Sequence, residues 1–296
     1  MTNSPHETAP QETTQQPSRT ALTAAAARAG HLIVDHEPFI FADTLAADLL
    51  GDRADELIGY HRVHGSHLVL AGARTQVTCR SRYTEQALAG ALDRGVAQYV
   101  MLGAGLDTFA YRSALAGRLA VFEVDEPATQ EWKRQRLAEA GLAAPPNTRF
   151  VPVDFEMDSL TSRLVRAGLD LAAPALVSWL GVTMYLTQDA IGAVLAEVGQ
   201  FALGTELILD YMLPAELRDE IGNSYVEQVA PAAAQWGEPW LSFFSPGQMT
   251  ALLEGHGFAG VRNIAQRDVG ADEMWRRTDV LRPADLSKLA HSTLNA

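Results

Sequence analysis

The chain has 296 residues, of which 47% are hydrophobic, so it can fill the core of one large or two modest domains. Its net charge of −13 argues against nonspecific binding to nucleic acid or anionic membranes. Cys79 is the only cysteine, which excludes an internal disulfide and a cysteine-based metal cluster. We find neither a basic leader nor an apolar run of about 18 residues, and therefore expect a cytoplasmic protein.

The first third of the chain is predicted to be helical after a polar tail. Residues 1–18 offer little apolar surface and are interpreted as a disordered tail. Helical patterns follow at 20–28, where Gly30 interrupts or ends the helix, and at 43–50, 55–71 and 80–92. This is too much helix for a connector, so residues 19–95 are interpreted as a helical cap over the mouth of a sheet.

Residues 96–296 alternate between strand and helix patterns. Strands are predicted at 99–102, 119–124, 150–153, 175–179, 206–211 and 258–265, with a last one at 278–281; helices are predicted at 127–140, 158–167, 189–201 and 245–253. The pattern indicates an α/β fold with a mostly parallel seven-stranded sheet and helices on both faces. Residues 214–244 read as a loop-like insertion with five bulky aromatics, which forms either a lid or a satellite hydrophobic cluster; we favour the lid.

The strand ends carry the residues that point to chemistry. The first strand stops at Gly103-Ala104-Gly105, where a missing Cβ lets a ligand approach the backbone, and Asp107 follows. The second strand ends at Asp125, which is placed to bind both ribose hydroxyls of a nucleotide, and the third at Asp154. Asp154 and Phe155 would contact the adenine. Turn or N-cap roles are the alternative for such residues, but three in order on one sheet edge favour a nucleotide site.

The residue at position 107 discriminates between nucleotides. A dinucleotide site has a third glycine and a helix N-terminus that is free to bind pyrophosphate. Asp107 would repel pyrophosphate but suit a ligand with a cationic end. S-adenosylmethionine carries an ammonium and a sulfonium and no phosphate, so the sequence favours it over NAD.

Several motifs resemble the leucine carboxyl methyltransferase family, a group of Rossmann-like class I methyltransferases, and in particular its bacterial branch of polyketide and small-molecule O-methyltransferases. They are RTAL at 19–22, FAD at 41–43, RSR at 80–82, LGAGLDT at 102–108, YR at 111–112, FEVDEP at 122–127, VDF at 153–155 and WLGVTMYL at 179–186. The resemblance implies that Arg80 binds the carboxylate of the cofactor's methionine part. Leu180 departs from the family, where a Glu facing the cofactor's ammonium is usual; Asp107 is the candidate replacement.

Three residues are candidates to orient or deprotonate a methyl acceptor: His31, Tyr185 and Asp210. For each, a structural role is the favoured alternative, as a helix-end cap, a packed aromatic and a strand-end turn residue. His61, His64 and His67 lack further ligands nearby, so a solvated helix face is preferred to a metal site. Cys79 lies beside Arg80, which predicts a lowered thiol pKa.

The leading hypothesis is an S-adenosylmethionine-dependent O-methyltransferase of secondary-metabolite type. It would act on a carboxylate or phenol of a small, aromatic molecule, because the insertion is rich in aromatic residues. The expected partners are this substrate and a second copy in a homodimer, with no nucleic acid and no membrane. An NAD-dependent oxidoreductase and a non-catalytic cofactor-binding homologue are the alternatives, and Leu180 best supports the latter.

Overall fold

The computed structural model describes residues 18–154 and 157–295, so most of the predicted tail, and Phe155, lie outside the described residues. The helices are α1 (Arg19–Val34), α2 (Ala54–His64), α3 (Leu68–Asp93), α4 (Phe109–Arg112), α5 (Pro127–Glu139), α6 (Leu160–Arg166), α7 (Gln188–Val198), α8 (Glu220–Gln235) and α9 (Pro246–Glu254). The strands are β1 (Gln98–Leu102), β2 (Ala120–Asp125), β3 (Thr148–Pro152), β4 (Ala175–Trp179), β5 (Glu206–Met212), β6 (Phe258–Ala265) and β7 (Ser287–Leu294).

The seven strands form one mixed sheet in the order β3-β2-β1-β4-β5-β7-β6. The first five are parallel, while β7 runs antiparallel to both β5 and β6. This confirms the predicted mostly parallel seven-stranded α/β fold. After β3 the chain returns to pair β4 with β1 on the other side, so β1 and β4 flank the point where the strand order reverses. Open α/β sheets bind ligands at that point, beyond the carboxyl ends of the strands.

Helices cover both faces of the central strands, which explains why those strands are continuous apolar runs. On one face, Val100 and Leu102 belong to a cluster that includes residues of α6, α7 and α9. On the other face, Tyr99 and Met101 pack with Leu88 and other residues of α3. The alternation of side chains along β1 assigns these pairs to opposite faces.

The last strand is not where the sequence pattern placed it. Residues 278–281 are irregular, and Asp279 there accepts hydrogen bonds from the backbone of His36 and Leu281 and from Arg277. The strand is instead β7, whose buried polar residues His291 and Ser292 hide its strand character from a hydrophobicity pattern.

The cap is helical as predicted but is divided differently. Helix α1 continues through Gly30 to Val34. The imidazole of His61 packs over this glycine, because a Cβ there would lie only 2.9 Å from His61 Cγ. The predicted helix at 43–50 is a turn followed by a 3-10 helix at Asp48–Arg53. The predicted helices at 55–71 and 80–92 become α2 and the long α3, with the break at 65–67.

The insertion at 214–244 is not loop-like, because α8 occupies much of it. Asp219 caps this helix by accepting the N–H of Gly222, and Pro231 lies inside the helix. Proline in a helix interior normally indicates a break, which is why the sequence pattern favoured a loop. No helix in 18–154 or 157–295 is both long and apolar enough to cross a membrane.

Candidate functional site

A cavity of about 660 Å³ lies at the carboxyl ends of β1 and β4, beneath the cap. Helices α1, α2 and α3 contribute to its wall on one side, and α8 with the segment after it contributes on another. The sequence-predicted residues that line it are Arg80, Gly103, Ala104, Gly105, Asp107, Asp125, Leu180 and Tyr185. The structure thus brings together residues separated by more than 100 positions in the chain.

The glycine turn forms a narrow cradle. Gly103 has φ 67°, in the left-handed region that glycine adopts at little cost, and a Cβ there would lie 2.4 Å from Val182 Cγ2. The N–H of Ala104 donates to the carbonyl of Val124, which holds the turn against β2 at 3.0 Å. The loops after β1 and β4 therefore touch, and only a glycine fits between them.

Asp125 extends the site beyond the end of β2. Its two carboxylate oxygens accept the N–H groups of Gly105, at 2.5 Å, and Glu126, at 2.8 Å. Burial raises its pKa, against the opposing effect of the hydrogen bond from Gly105. Asp107 also faces the cavity and accepts the N–H of Phe109 at 2.7 Å. Two carboxylates thus flank a glycine turn, and as hydrogen-bond acceptors they fit the hydroxyls of a ribose and a cationic group.

The side chain of Arg80 extends from α3 into the cavity, and an ion pair with a buried aspartate holds its guanidinium group. Its Nη1 donates to Asp210 Oδ2 at 3.0 Å, and Asp210 Oδ1 accepts the N–H of Gly181 at 2.6 Å. A Cβ on Gly181, which has φ 74°, would lie 2.6 Å from the Arg80 guanidinium. Asp210 is almost fully buried and does not line the cavity, so it positions Arg80 rather than meeting an acceptor.

A second network, which sequence reasoning did not assign to the site, ties the cap to the glycine turn. Asp43 accepts from Arg28 Nε at 2.7 Å and from Thr108 Oγ1 at 2.6 Å, while Arg28 Nη2 donates to the carbonyl of Leu106 at 2.7 Å. Burial alone would raise the Asp43 pKa, but the charges of Arg28 and Arg112 and the hydrogen bonds from Thr108 and Arg28 together lower it. The sequence motif Phe41-Ala42-Asp43 contains this aspartate, but its role in the network became clear only from the fold.

Besides Asp210, two predicted site residues, His31 and Asp154, are not on the cavity wall. His31 is completely buried: its Nε2 accepts the N–H of Ile40 at 3.0 Å, so its Nδ1 donates to Asp35, at 2.8 Å. The prediction that His31 orients or deprotonates the methyl acceptor is therefore wrong, since both ring nitrogens form hydrogen bonds away from the cavity. Asp154 follows the edge strand β3, two strands from the glycine turn, and its contact with adenine stays a prediction.

Burial also overturns two predictions about titratable side chains, those for His61 and Cys79. His61 is buried rather than solvated, and it accepts from Arg74 Nη1 at 3.2 Å. Burial also raises the pKa of Cys79, outweighing its arginine neighbours, so the predicted lowering is wrong. Within the described ranges, no group of His, Cys, Asp and Glu is arranged to hold a metal ion.

The aromatic residues of the insertion are divided between the cavity wall and the hydrophobic clusters, and the lid role stays a prediction. Tyr225, Trp236 and Trp240 line the cavity. Phe244 lies in the main core, and Phe243 packs in a cluster with Met184 and Tyr225. Tyr225 fits closely against α3, because a Cβ on Gly72 would lie 2.8 Å from its ring.

Tyr185 is the one acceptor-side candidate that reaches the cavity. Its hydroxyl lies close to Thr20 of α1 and to the indole of Trp240. Burial raises its pKa, which makes the neutral phenol the dominant form at neutral pH. Tyr185 is therefore suited to hydrogen-bond an acceptor and unsuited to act as a free phenolate base.

Comparison with known proteins identifies a family to which the chain is similar. The family model described as leucine carboxyl methyltransferase matches residues 21–199. A Bacillus subtilis (strain 168) protein, provisionally named an S-adenosyl-L-methionine-dependent methyltransferase, is 31% identical over 274 residues, covering 85% of this chain and 90% of that protein. A Mycobacterium tuberculosis (strain H37Rv) protein with the same kind of provisional name is 32% identical over 212 residues, covering 68% and 67%.

Two crystal structures share the fold at low sequence identity. A protein from Thermobifida fusca YX, provisionally described as a methyltransferase, superposes with a TM-score of 0.61 at 18% identity, covering 96% of this chain and 97% of its own. A duf574 family protein from Streptomyces avermitilis MA-4680 superposes with a TM-score of 0.58 at 16% identity, covering 91% and 97%. Both comparisons support the fold alone.

Proposed function

This chain belongs to the leucine carboxyl methyltransferase family and depends on S-adenosylmethionine, and from that premise we propose that it methylates an oxygen atom of a small apolar molecule. The acceptor group would be a carboxylate or a phenol. One observation carries this proposal: a single cavity joins the glycine turn after β1 to an aromatic wall formed by α8 and the segment after it.

The residues of the glycine-turn end fit the cofactor. Arg80 would bind its carboxylate, Asp125 its ribose and Asp107 its ammonium, while the left-handed backbone at Gly103 permits close approach. When bound, the cofactor supplies a methyl group on a sulfonium, which is transferred by in-line displacement. Leu180 leaves Asp107 as the carboxylate for the ammonium, and this assignment stays part of the proposal.

The protein's part in the reaction is to align the acceptor and to exclude water. The indoles of Trp236 and Trp240 and the ring of Tyr225 supply apolar surface, and Tyr185 supplies a hydroxyl for orientation. The apolar lining supports a small, aromatic acceptor over a charged peptide. An NAD-dependent oxidoreductase is no longer a competing hypothesis, because the family and the named relatives use S-adenosylmethionine.

Calorimetric titration with S-adenosylhomocysteine tests the cofactor end. Asp125→Ala removes a charged hydrogen-bond acceptor, so we expect the affinity to fall by about tenfold to a hundredfold. Asp93→Ala, which changes an exposed carboxylate at the end of α3, should leave the affinity unchanged. Equal affinity of the Asp125→Ala variant and the unmodified protein would contradict the assignment.

Turnover tests the proposed reaction. Incubation with methyl-labelled cofactor and a panel of carboxylic and phenolic acceptors should give labelled ester or ether. Tight cofactor binding without transfer to any member of the panel would instead favour the non-catalytic homologue.

A further inference from the structure

The cavity wall carries an excess of negative charge. Its described part contains five carboxylates and two guanidinium groups: Glu56, Asp107, Asp125, Glu126 and Glu238 against Arg28 and Arg80. His61 also lines the cavity but adds no positive charge at neutral pH, because burial lowers its pKa to about 4. An anionic ligand would therefore enter an unfavourable potential unless a cation pairs with it.

Both guanidinium groups of this wall already have partners. Arg28 donates from Nε to Asp43 and from Nη2 to the carbonyl of Leu106, each at 2.7 Å. Arg80 is paired with Asp210, and in the proposed function its remaining N–H groups bind the cofactor's carboxylate. In the part of the chain that the structure describes, the wall thus offers no arginine or lysine to an acceptor carboxylate.

Glu238 offers the opposite chemistry, a hydrogen-bond acceptor. Its Oε1 accepts from Ser18 Oγ at 2.7 Å and from Thr20 Oγ1 at 3.4 Å. Its Oε2 is buried and has no hydrogen-bond partner among the described residues. A buried carboxylate oxygen is costly to leave unpaired, so Glu238 is suited to accept a hydrogen bond from a ligand hydroxyl.

The surroundings of Glu238 connect it to the glycine turn. Thr20, its hydrogen-bond partner, precedes Ala21, whose Cβ lies 3.4 Å from the position that a Cβ on Gly105 would take. Thr20 also lies close to the hydroxyl of Tyr185. The segment that carries Glu238 is held against the loop after β4, because Leu241 N–H donates to the carbonyl of Met184 at 2.6 Å. The cap, the loop after β4 and the segment after α8 therefore meet around Glu238.

Building on the proposed function, we propose that the acceptor is a neutral hydroxyl, such as a phenol, and that Glu238 Oε2 receives its proton. The acceptor O–H bond breaks and its proton moves to the carboxylate. The acceptor oxygen bonds the methyl carbon as the carbon–sulfur bond breaks, and that electron pair stays on sulfur. Glu238 then releases the proton to solvent. A carboxylate acceptor would instead place a second negative charge beside Glu238, with no proton to give it.

A matched pair of probes separates the two acceptor classes: 1-naphthol and 1-naphthoate share a ring and differ in charge. Calorimetry on the full chain saturated with S-adenosylhomocysteine should give a dissociation constant at least about tenfold lower for 1-naphthol. Glu238→Gln removes the charge and should bring the two constants within about threefold of each other. Glu227→Gln, an exposed change on α8, should preserve the preference.

The controls keep this inference apart from the proposed function. Binding of S-adenosylhomocysteine is measured first, and its loss would count against the cofactor assignment alone. Glu238→Asp retains the charge and should keep the preference for 1-naphthol, and thermal melts verify that each variant is folded. The inference is overturned if the unmodified protein binds 1-naphthoate as tightly as 1-naphthol, if it binds no hydroxyl probe, or if folded Glu238→Gln keeps the tenfold preference.

Discussion

At the scale of single residues, buried charges position the groups that face the cavity. Asp43 holds Arg28 and Thr108, and Asp210 holds Arg80, yet neither aspartate lines the cavity. Breaking a buried pair by removing one partner leaves an uncompensated charge, which typically costs about 3–5 kcal/mol. Removing either of these aspartates is therefore expected to destabilise the protein.

The buried imidazole of His61 makes stability depend on pH. Its pKa is lowered from 6.5 to about 4, first by burial and then by the charge of Arg74, so the unfolded chain binds this proton more readily than the folded chain. The contribution is fully present above pH 6.5 and is lost as the pH falls towards 4. At about 1.4 kcal/mol per pKa unit, the free energy of unfolding should fall by about 3 kcal/mol over this window.

Urea denaturation between pH 5 and pH 7 measures the upper part of this fall, above the range where most carboxylates titrate. His61→Gln can still accept from Arg74 but cannot be protonated, so its unfolding free energy should vary much less with pH. An equally steep dependence in this variant would assign the effect to other groups.

At the scale of elements, the site is a contact between two loops. The turn after β1 and the loop after β4 meet at Gly103 and Val182, on neighbouring parallel strands where the strand order reverses. The loop after β4 is fixed further by Thr183 Oγ1, which donates to the carbonyl of Asp210 at 2.5 Å. The ends of β1, β4 and β5 are joined in this way, so a substitution in one loop is expected to change the conformation of the others.

Gly103→Ala tests this loop contact. The alanine must adopt φ 67° and place its Cβ 2.4 Å from Val182 Cγ2, so the free energy of unfolding should fall by about 2 kcal/mol or more. The same change in a Val182→Ala background should cost less, since the clash is relieved while the backbone strain remains. Gly117→Ala, where a Cβ would meet nothing within 4 Å, is the control and should change stability little.

Chemical denaturation of the four proteins completes a double-mutant cycle. Equal costs of Gly103→Ala in both backgrounds would show that the two loops are not energetically coupled.

At the scale of the whole molecule, the cap and the sheet share a hydrophobic core. Leu88, Ala91 and Leu92 of α3 lie in the same cluster as Tyr99 of β1 and Ile208 of β5. The predicted boundary at residue 95 therefore separates two sequence patterns, but the two parts that it separates pack against each other in one core. The cap also supplies Arg28 and Arg80 to the cavity, so the site depends on both parts.

A fragment consisting of residues 96–296 should not unfold cooperatively. Removing α3 exposes one face of the central strands, and each large apolar side chain uncovered costs about 1.5–3 kcal/mol, against a total stability of about 5–15 kcal/mol. Circular dichroism during heating should show a sharp transition for the full chain and a broad one for the fragment. A sharp transition in the fragment would establish the core as an independent domain.

The sequence by itself determined the fold class, the cofactor and the glycine-turn end of the site. These are local: an apolar run, the turn that ends it and the carboxylate after it are adjacent in the chain, so their order predicts one sheet edge. It misplaced the last strand and the helix in the insertion, because the buried polar residues of β7 and Pro231 in α8 contradict the usual patterns. Only the tertiary structure showed which polar groups face the cavity: Tyr185 does, whereas His31 and Asp210 do not, and Glu238 lies against Thr20. The reason is that burial and pairing depend on residues from distant segments, which no local pattern records.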